Sequence, residues 1–285
     1  MSHSSSTGEP WAHTLPAAVS ARSVVRVPQG LVQTDTLAAE LPVALVFNGI
    51  SHAVMMATPQ DLEAFALGFA LSEGILDSPS QCFGMEVLRS ESCGQPAVEV
   101  HLEIAAACFV RLKAQRRSMA GRTGCGVCGL DSLQALDLSP PAMPDQPWAR
   151  RVQPQEIFDA IRAMLPLQQL NALCGSLHAA AWVGADGQLA LVMEDVGRHN
   201  ALDKVLGALA QQGRPYESGW MLMSSRASHE LVRKCVRLRV PMLATISAPT
   251  DLAVAMAQRA GLHLWGLCRA PRAVLYTPAQ DPTAP

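Results

Sequence analysis

Two cysteines, Cys125 and Cys128, stand two residues apart in the glycine-rich stretch GRTGCGVCGL, residues 121–130. A thiol pair at this spacing can supply half of a zinc site, form a redox disulfide, or carry a sulfur atom on a thiolate. Glycine raises the cost of starting a helix, so the stretch predicts a mobile loop rather than the helix N-terminus of a thioredoxin-like site. Zinc stays open as an alternative, because distant cysteines such as Cys93 and Cys108 could complete a set of four ligands.

The segment that leads to these cysteines is strongly basic. Between Ile104 and Leu130 there is no acidic residue, whereas five residues are basic: Arg111, Lys113, Arg116, Arg117 and Arg122. A positive potential lowers the pKa of a thiol and stabilises the thiolate, which is the form that attacks sulfur. The same charge would attract an anionic partner such as a phosphate-bearing cofactor. The competing interpretation is a solvated basic helix face that precedes the loop.

A second group of polar residues lies where predicted strands pass into predicted helices. Its members are Asp195, Arg198, His199 and Asn200 in the stretch EDVGRHNALDKV, and Ser224, Arg226 and Ser228 in the stretch SSRASHE. Helix N-termini offer free N–H groups, so the two junctions predict an anion or nucleotide site. Ordinary helix capping and salt bridges would account for the same residues without any ligand.

The elements expected to hold these groups are those of a two-domain α/β protein. From residue 151 onward, helical and strand patterns alternate, which predicts a layered α/β domain with a largely parallel or mixed sheet. Before it, an Asn48-Gly49 hairpin and a helix that Thr58 caps and Pro59 begins predict a smaller α+β domain. The predicted boundaries are 1–22 and 279–285 for disordered tails, 23–120 for the N-terminal domain, 121–150 for the CxxC loop and a proline-rich linker, and 151–278 for the C-terminal domain.

The composition of the whole chain limits which classes of partner and which cellular compartment we expect. A net charge of −2 and an aromatic content of 5% argue against a nucleic-acid partner. Eight cysteines are spread over 285 residues with one close pair, which favours free thiols in a reducing compartment. The first residues lack a basic region followed by an apolar run, and no apolar stretch of roughly 18 residues occurs. We therefore expect a soluble cytoplasmic protein with no membrane partner.

Several stretches together resemble the successive signatures of the FdhD family, the accessory proteins of formate dehydrogenase. They are VALVFNGISHAVMMATPQDLEAFALGFALSEGIL, GRTGCGVCG, EDVGRHNALDKVLGA, SSRASHELVRK and ISAPTDLAVAMAQRAGL. The resemblance runs from about Leu41 to Tyr276 and implies a C-terminal domain of three layers, similar in fold to the cytidine deaminases. Deaminase chemistry is disfavoured, because Ala180 stands where the catalytic glutamate would fall after His178.

The resemblance also implies an activity, that of a sulfurtransferase acting through a cysteine persulfide. A cysteine desulfurase would load sulfur onto Cys125, with Cys128 assisting. The sulfur would then pass to the molybdenum of the bis-molybdopterin guanine dinucleotide cofactor (bis-MGD) of formate dehydrogenase. The positions implied to bind this cofactor are Leu267, Cys268, Arg269, Ala270, Pro271 and Arg272. The guanine nucleotides GDP and GMP would bind as mimics of its halves, a homodimer would present two matching pockets, and no structural metal is expected.

Three departures from the family pattern fall near the expected nucleotide contacts. The turn before His178 reads Cys174-Gly175-Ser176, Ser225 follows a strand where glycine is common, and AVLYT lacks the asparagine often found before the tyrosine. Two alternatives to sulfur transfer stay open from the residues. One is a chaperone that binds and inserts the cofactor without carrying sulfur, and the other is a zinc-dependent structural module.

Overall fold

A computed structural model of the chain describes residues 17–117 and 141–277. Cys125 and Cys128 lie outside the described residues, as do the rest of the predicted CxxC loop and the first part of the predicted linker. The predicted mobility of that loop is therefore not tested. Residues 1–16 and 278–285, which fall mostly in the predicted tails, are outside as well.

Within the described ranges, the strands and helices confirm the predicted mixed α/β class. The strands are β1 (Val19–Arg26), β2 (Leu31–Ala38), β3 (Leu41–Phe47), β4 (Ile50–Ala57), β5 (Cys82–Ser92), β6 (Gln95–Ile104), β7 (His178–Gly184), β8 (Leu189–Asp195), β9 (Gly219–Met223), β10 (Met242–Thr245), β11 (His263–Arg269) and β12 (Arg272–Leu275). The α-helices are α1 (Leu62–Ser72), α2 (Ala106–Arg117), α3 (Pro154–Met164), α4 (Gln169–Cys174), α5 (Arg198–Gln211), α6 (His229–Arg237) and α7 (Asp251–Ala260).

The N-terminal region is built around a four-stranded sheet in the order β4-β3-β6-β5. The predicted hairpin between β3 and β4 is confirmed, because Asn48 and Gly49 both have positive φ, 46° and 77°, as a two-residue type I′ turn requires. β6 runs parallel to β3, and α1 packs its apolar residues against this sheet. Phe47, Phe65 and Leu102 lie in the resulting core.

A separate hairpin of β1 and β2 precedes this sheet. Its strands pair antiparallel, from Val19 opposite Ala38 to Arg26 opposite Leu31. The predicted tail over residues 1–22 is therefore wrong at its end, because cross-strand pairing orders the chain from Val19 onward. Most side chains of the hairpin are exposed, so no alternation of buried apolar residues marks these strands in the sequence.

The C-terminal region is built on a six-stranded mixed sheet in the order β12-β11-β10-β9-β7-β8. Strands β9, β10 and β11 are parallel, whereas β7 runs antiparallel to both of its neighbours. Helices α5, α6 and α7 pack on one face through residues such as Leu202, Leu231 and Met256. Helix α3 covers the other face with Ile157 and Met164. The expected three layers are present, and the specific likeness to cytidine deaminases stays a prediction.

The start of α1 differs from its prediction. The sequence predicts Thr58 as the N-cap, but α1 begins at Leu62 after Asp61, whose φ is 55° and whose side chain makes no capping bond. Thr58 is buried, its N–H donates to the Asp195 carboxylate, and its hydroxyl accepts a hydrogen bond from the N–H of Val196. Hydrogen bonds to the C-terminal region thus replace the local capping bond that the sequence indicates.

Helices α1 and α5 cross with their backbones in contact, and this crossing joins the two regions. A Cβ atom on Gly68 would overlap the carbonyl oxygen of Asp203, and a Cβ atom on Gly207 would overlap that of Ala64. No side chain fits at either position, so close approach of the two backbones requires glycine there.

The second half of the proline-rich segment packs on the C-terminal region. The N–H of Met143 donates to the carbonyl oxygen of Ala260 at 2.8 Å, and the Met143 side chain packs against the core under α5 to α7. Trp148 packs against the core on the α3 face. Residues 143–148 therefore behave as part of this region, and the predicted domain boundaries otherwise stay a prediction.

Candidate binding site at the carboxyl edge of the second sheet

Strands β8, β9, β10 and β11 all end at the same edge of the six-stranded sheet. β9, β10 and β11 are parallel, and β8 points the same way because both β8 and β9 are antiparallel to β7. We call this the carboxyl edge; it comprises residues 195–199, 224–230, 246–250 and 267–272. Open α/β sheets bind ligands outside the carboxyl ends of their strands, so this edge is the candidate binding site.

Hydrogen bonds hold the connections side by side along this edge. The N–H of Ser247 donates to the carbonyl oxygen of Ser225 at 3.3 Å, and the N–H of Leu267 donates to that of Ser247 at 3.2 Å. The hydroxyl of Ser224 accepts a hydrogen bond from the N–H of Ala179 at 2.8 Å. The fold thus brings together the two predicted polar junctions and the segment implied to bind the cofactor, which are far apart in the sequence.

A carboxylate lies between two imidazoles where α5 and α6 begin. Oε2 of Glu230 is 3.3 Å from Nδ1 of His229 and 3.9 Å from Nε2 of His199. Burial works against ionisation of Glu230, but the proximity of His199 and Ser228 outweighs burial and holds the pKa of this carboxyl below its ordinary value. Glu230 also lies in the first turn of α6, where the helix dipole favours negative charge. Glu230 is therefore ionised at neutral pH.

His178, the first residue of β7, contributes an imidazole to the same edge. It pairs with Asp195 across the β7–β8 ladder. Burial is the main cause that lowers the pKa of His178 below its ordinary 6.5, and the charge of Arg198 and the nearby His199 lower it further. At neutral pH the ring is therefore uncharged and offers one nitrogen as a hydrogen-bond acceptor.

Nε of Arg198 is buried at the carboxyl edge and makes no direct hydrogen bond within the described residues. Nε2 of His199 and Oγ of Ser228 are buried as well, but both lie beside the Glu230 carboxylate. Buried polar groups in native proteins almost always have partners, so Nε of Arg198 is available to a ligand or to water. With the exposed side chain of Arg226, the Arg198 guanidinium supplies donors suited to an anion.

Two of the predicted nucleotide contacts, Asp195 and Asn200, have partners inside the protein. Asp195 is fully buried, its Oδ1 accepts from the N–H of Gly197, and its Oδ2 accepts from the N–H of Thr58. Nδ2 of Asn200 donates to Oδ1 of Asp195 and to the carbonyl oxygen of Met56. These contacts favour a role in holding the turn between β8 and α5 over direct contact with a ligand.

The segment implied to bind the cofactor forms the end of β11, a turn and the start of β12. Cys268 is fully buried, and burial raises the pKa of its thiol to about 11, so it carries no thiolate at neutral pH. Residues 269–272 are exposed. The segment therefore presents two guanidinium groups, those of Arg269 and Arg272, at the carboxyl edge, while Cys268 packs into the core on the α3 face.

Most of the chain matches a known protein family. The family profile described as FdhD/NarQ family matches residues 38–282. The chain belongs to the FdhD/NarQ family. This confirms the resemblance that the sequence motifs indicate.

Individual relatives match over most of the chain. The "Sulfur carrier protein FdhD" of Chromobacterium violaceum is 54% identical over 243 residues, which are 85% of this chain and 88% of the relative. The protein of the same name from Burkholderia cenocepacia is 50% identical over 248 residues, 86% of this chain and 89% of the relative. A crystal structure of a protein assigned as a formate dehydrogenase accessory protein, from Desulfotalea psychrophila, is similar with a TM-score of 0.64. It covers 91% of this chain and 96% of its own, and at 23% identity it supports the fold alone.

Sequence reasoning missed the roles of two residues in this part of the fold, Thr58 and Glu230. The sequence predicts a helix cap for Thr58 instead of its bonds to Asp195 and Val196. Lys204 belongs to the polar stretch EDVGRHNALDKV that predicts an anion site, but the structure buries it against the protein. Glu230 carried no such signal, since an acidic residue in the first turn of a helix is common.

The metal and membrane expectations concern different parts of the chain. Over residues 17–117 and 141–277, no three His, Cys, Asp or Glu side chains are placed to hold a metal ion together. The zinc alternative depends on Cys125 and Cys128, which lie outside those ranges, so it is not tested. Among the helices of the described ranges, none has the length and apolar character needed to cross a bilayer.

Proposed function

We propose that the protein is a sulfur carrier in the maturation of formate dehydrogenase, acting as a sulfurtransferase through a persulfide on Cys125. The observation that carries the proposal is the 50–54% identity, over more than four fifths of the chain, with relatives named as sulfur carrier proteins. The Cys125/Cys128 pair in a glycine-rich, basic segment supports it, because that setting favours a reactive thiolate.

The proposed reaction has two transfers. First, the Cys125 thiolate attacks the outer sulfur of a persulfide on a cysteine desulfurase, the S–S bond of the donor breaks, and the donor cysteine leaves as a thiolate. Second, the outer sulfur of the Cys125 persulfide takes two electrons from the molybdenum of bis-MGD and becomes a sulfido ligand. Cys125 then leaves as a thiolate, with Cys128 assisting.

The carboxyl edge is proposed to bind the nucleotide part of the cofactor. Bis-MGD is polyanionic, and Arg198, Arg226, Arg269 and Arg272 place guanidinium groups at or beside this edge. The unpartnered Nε of Arg198 supports the same assignment. GDP and GMP would bind there as mimics of one half, and a homodimer would offer one such edge to each half of the cofactor.

The decisive experiment follows sulfur on the cysteine. The protein is incubated with a cysteine desulfurase and free cysteine, and its peptides are analysed by mass spectrometry. We expect one additional sulfur atom on Cys125. In cells, Cys125→Ala should leave formate dehydrogenase present but inactive, whereas Cys93→Ala, which removes an exposed cysteine elsewhere, should leave its activity unchanged.

A cofactor chaperone without sulfur transfer is the second candidate, and the binding groups at the carboxyl edge favour it, because none of them depends on the cysteine pair. The variant lacking both loop thiols separates the two functions. If it still binds GDP and still supports full formate dehydrogenase activity, the chaperone replaces the sulfur carrier. Stoichiometric zinc in the purified protein, lost in Cys128→Ser, would instead support the structural zinc module.

A further inference from the structure

A buried lysine, Lys204, joins the N-terminal region to the turn between β8 and α5. Its side chain is fully buried on α5. Its Nζ lies 2.8 Å from Oδ2 of Asp195 and donates to the carbonyl oxygens of Thr58 at 3.2 Å and Glu194 at 3.1 Å. An ammonium group has three N–H donors, so every donor of Lys204 has a partner.

Asp195 is the centre of this arrangement, because its two oxygens face four donors. Oδ1 accepts from the N–H of Gly197 and from Nδ2 of Asn200, both at 2.8 Å. Oδ2 accepts from the N–H of Thr58 at 3.0 Å and faces Lys204. A carboxylate accepts about four hydrogen bonds, so this one has no capacity left for a ligand.

The same contacts fix the backbone of the turn that precedes Arg198. The N–H of Val196 donates to the hydroxyl of Thr58 at 3.2 Å, and the N–H of Gly197 donates to Asp195. A Cβ atom on Gly197 would lie 2.8 Å from Nδ2 of Asn200, so the turn packs tightly on its partners. Two consecutive N–H groups are therefore held, and Arg198 follows directly.

We propose that Thr58, Asp195 and Lys204 are positioning residues, through which the N-terminal region sets the orientation of Arg198 and His199 at the carboxyl edge. All three side chains are fully buried, so they act through the turn and not by touching a ligand. The inference rests on the proposed function in that the edge is taken as the cofactor site. Its first test needs no ligand.

The N-terminal region is suited to this role because of what else it holds. Helix α2 leads directly into the segment that contains Cys125 and Cys128. Cys108 and Leu112 of α2 are buried in the core of the N-terminal region, the same core that includes Ala57, which precedes Thr58. One hydrophobic core therefore links α2, which leads into the cysteine segment, to Thr58, which holds the turn before Arg198.

A second lysine on the same interface supplies the control. Lys234 binds Ser72 and Asp203 at 2.8 Å each, and Ser72 donates to Oδ1 of Asp203 at 2.7 Å. These residues lie on α1, α5 and α6, and their hydrogen bonds within the described residues do not include the turn before Arg198. Thr58→Val and Ser72→Ala each remove one buried hydroxyl between the two regions. The Thr58 hydroxyl accepts from the N–H of Val196 in the turn, whereas the Ser72 hydroxyl bonds Lys234 and Asp203.

The first experiment compares ligand-free proteins by NMR. Imidazole signals of His178 and His199 are assigned in the wild type, Thr58→Val, Thr58→Ser and Ser72→Ala. We expect both signals to move in Thr58→Val, to return in Thr58→Ser, and to stay in place in Ser72→Ala. His101, hydrogen-bonded to Glu99 on the N-terminal sheet, is the internal reference. If Thr58→Val leaves the signals of His178 and His199 unmoved, or Ser72→Ala moves them equally, the inference is overturned.

The second experiment titrates GDP into the same proteins by calorimetry. Loss of the Thr58 hydroxyl leaves the N–H of Val196 without its acceptor, and we expect GDP affinity to fall about fivefold or more, against less than about twofold for Ser72→Ala. Absence of GDP binding in the wild type would overturn the nucleotide part of the proposed function, while the NMR result still decides the inference. If Thr58→Val does not fold, Asn200→Ala tests the turn from the other side, with the same imidazole signals as the readout.

Discussion

The two buried lysines between the N-terminal and C-terminal regions, Lys204 and Lys234, are held by different kinds of partner. Two of the three acceptors of Lys204 are backbone carbonyl oxygens. All acceptors of Lys234 are side chains, those of Ser72, Asp203 and Glu73. The first set constrains the path of the backbone, whereas the second locks three helices together. A buried lysine at such an interface can therefore fix a turn or hold helices together, depending on whether backbone carbonyls or side chains accept its hydrogen bonds.

The pKa values of the residues in the Lys234 cluster are shifted in different directions. Burial alone would lower the pKa of Lys234, but the carboxylates of Asp203 and Glu73 raise it, so the lysine is charged. Burial raises the pKa of Asp203. Burial also opposes ionisation of Glu73, yet Lys234 and Arg233 outweigh it and lower the pKa of Glu73 to about 2. Glu73 is thus the stronger acid of this cluster.

The largest expected effect is loss of stability in Lys234→Met. The substitution leaves Asp203 buried with Ser72 as its hydrogen-bond partner, and breaking a buried ion pair costs about 3–5 kcal/mol. Lys204→Met should cost less, because Asp195 keeps three N–H donors. Urea unfolding of both variants measures the difference in the free energy of unfolding.

If Lys204→Met lost more stability than Lys234→Met, the proposed difference between the two lysine networks would be wrong. The control for the larger effect is the double variant Lys234→Met with Asp203→Leu, which removes the uncompensated carboxylate as well as the ammonium. It should recover part of the stability, since apolar residues of similar volume often replace a buried ion pair without loss.

Features with local signals were predictable from the sequence. The turn at Asn48-Gly49 followed from two residues that tolerate positive φ, and the structure confirms it. The ends of α7 carry local signals of the same kind: the hydroxyl of Thr250 accepts from the N–H of Ala253, and Gly261 ends the helix with φ 75°. In each case the residues that determine the geometry lie within a few positions of one another.

Features that depend on distant partners were not predictable. The hydrogen bonds of Thr58 join residues about 140 positions apart, so its sequence neighbours indicated a helix cap instead. The polar junctions at Asp195 and Ser224 were found as separate stretches, because strand order alone brings them to one edge. Whether Asp195 faced a ligand or the protein could not be read from its type or its neighbours.

A smaller effect is expected in the dependence of stability on pH. The pKa of Glu73 is lowered from 4.5 to about 2 in the folded protein, so its ionised form stabilises the fold above pH 4.5 and this contribution is lost as the pH falls toward 2. Glu73→Gln lacks that contribution. Between pH 4.5 and 2, the unfolding free energy of the wild type should therefore fall more steeply than that of Glu73→Gln. Parallel curves in chemical denaturation would show that Glu73 is not the group responsible.

The smallest expected effect is local to the carboxyl edge. His178 should titrate below its ordinary pKa of 6.5 in an NMR pH series, first because of burial and then because of Arg198. Arg198→Gln should raise the pKa of His178, since one source of positive charge is removed. Arg226→Gln is the matched control, because this exposed arginine lies on the same edge but does not act on His178. An unchanged pKa in Arg198→Gln would show that the guanidinium does not lie beside the imidazole.

The distance between α1 and α5 is set where they cross at Gly68 and Gly207. Both lysine networks bridge the two regions that this crossing joins, so both depend on that distance. Main-chain atoms of the two helices are in contact there with no side chain between them, so backbone contact sets the distance between the helices. Side-chain rearrangement cannot compensate for a change in that distance. Replacement of either glycine by alanine would push the two helices apart. It would lengthen the hydrogen bond from Ser72 to Asp203 and disturb the contacts of Lys204 at the same time. The same pair of glycines therefore sets the distance of both lysine networks, and with it the position of the turn before Arg198 at the carboxyl edge.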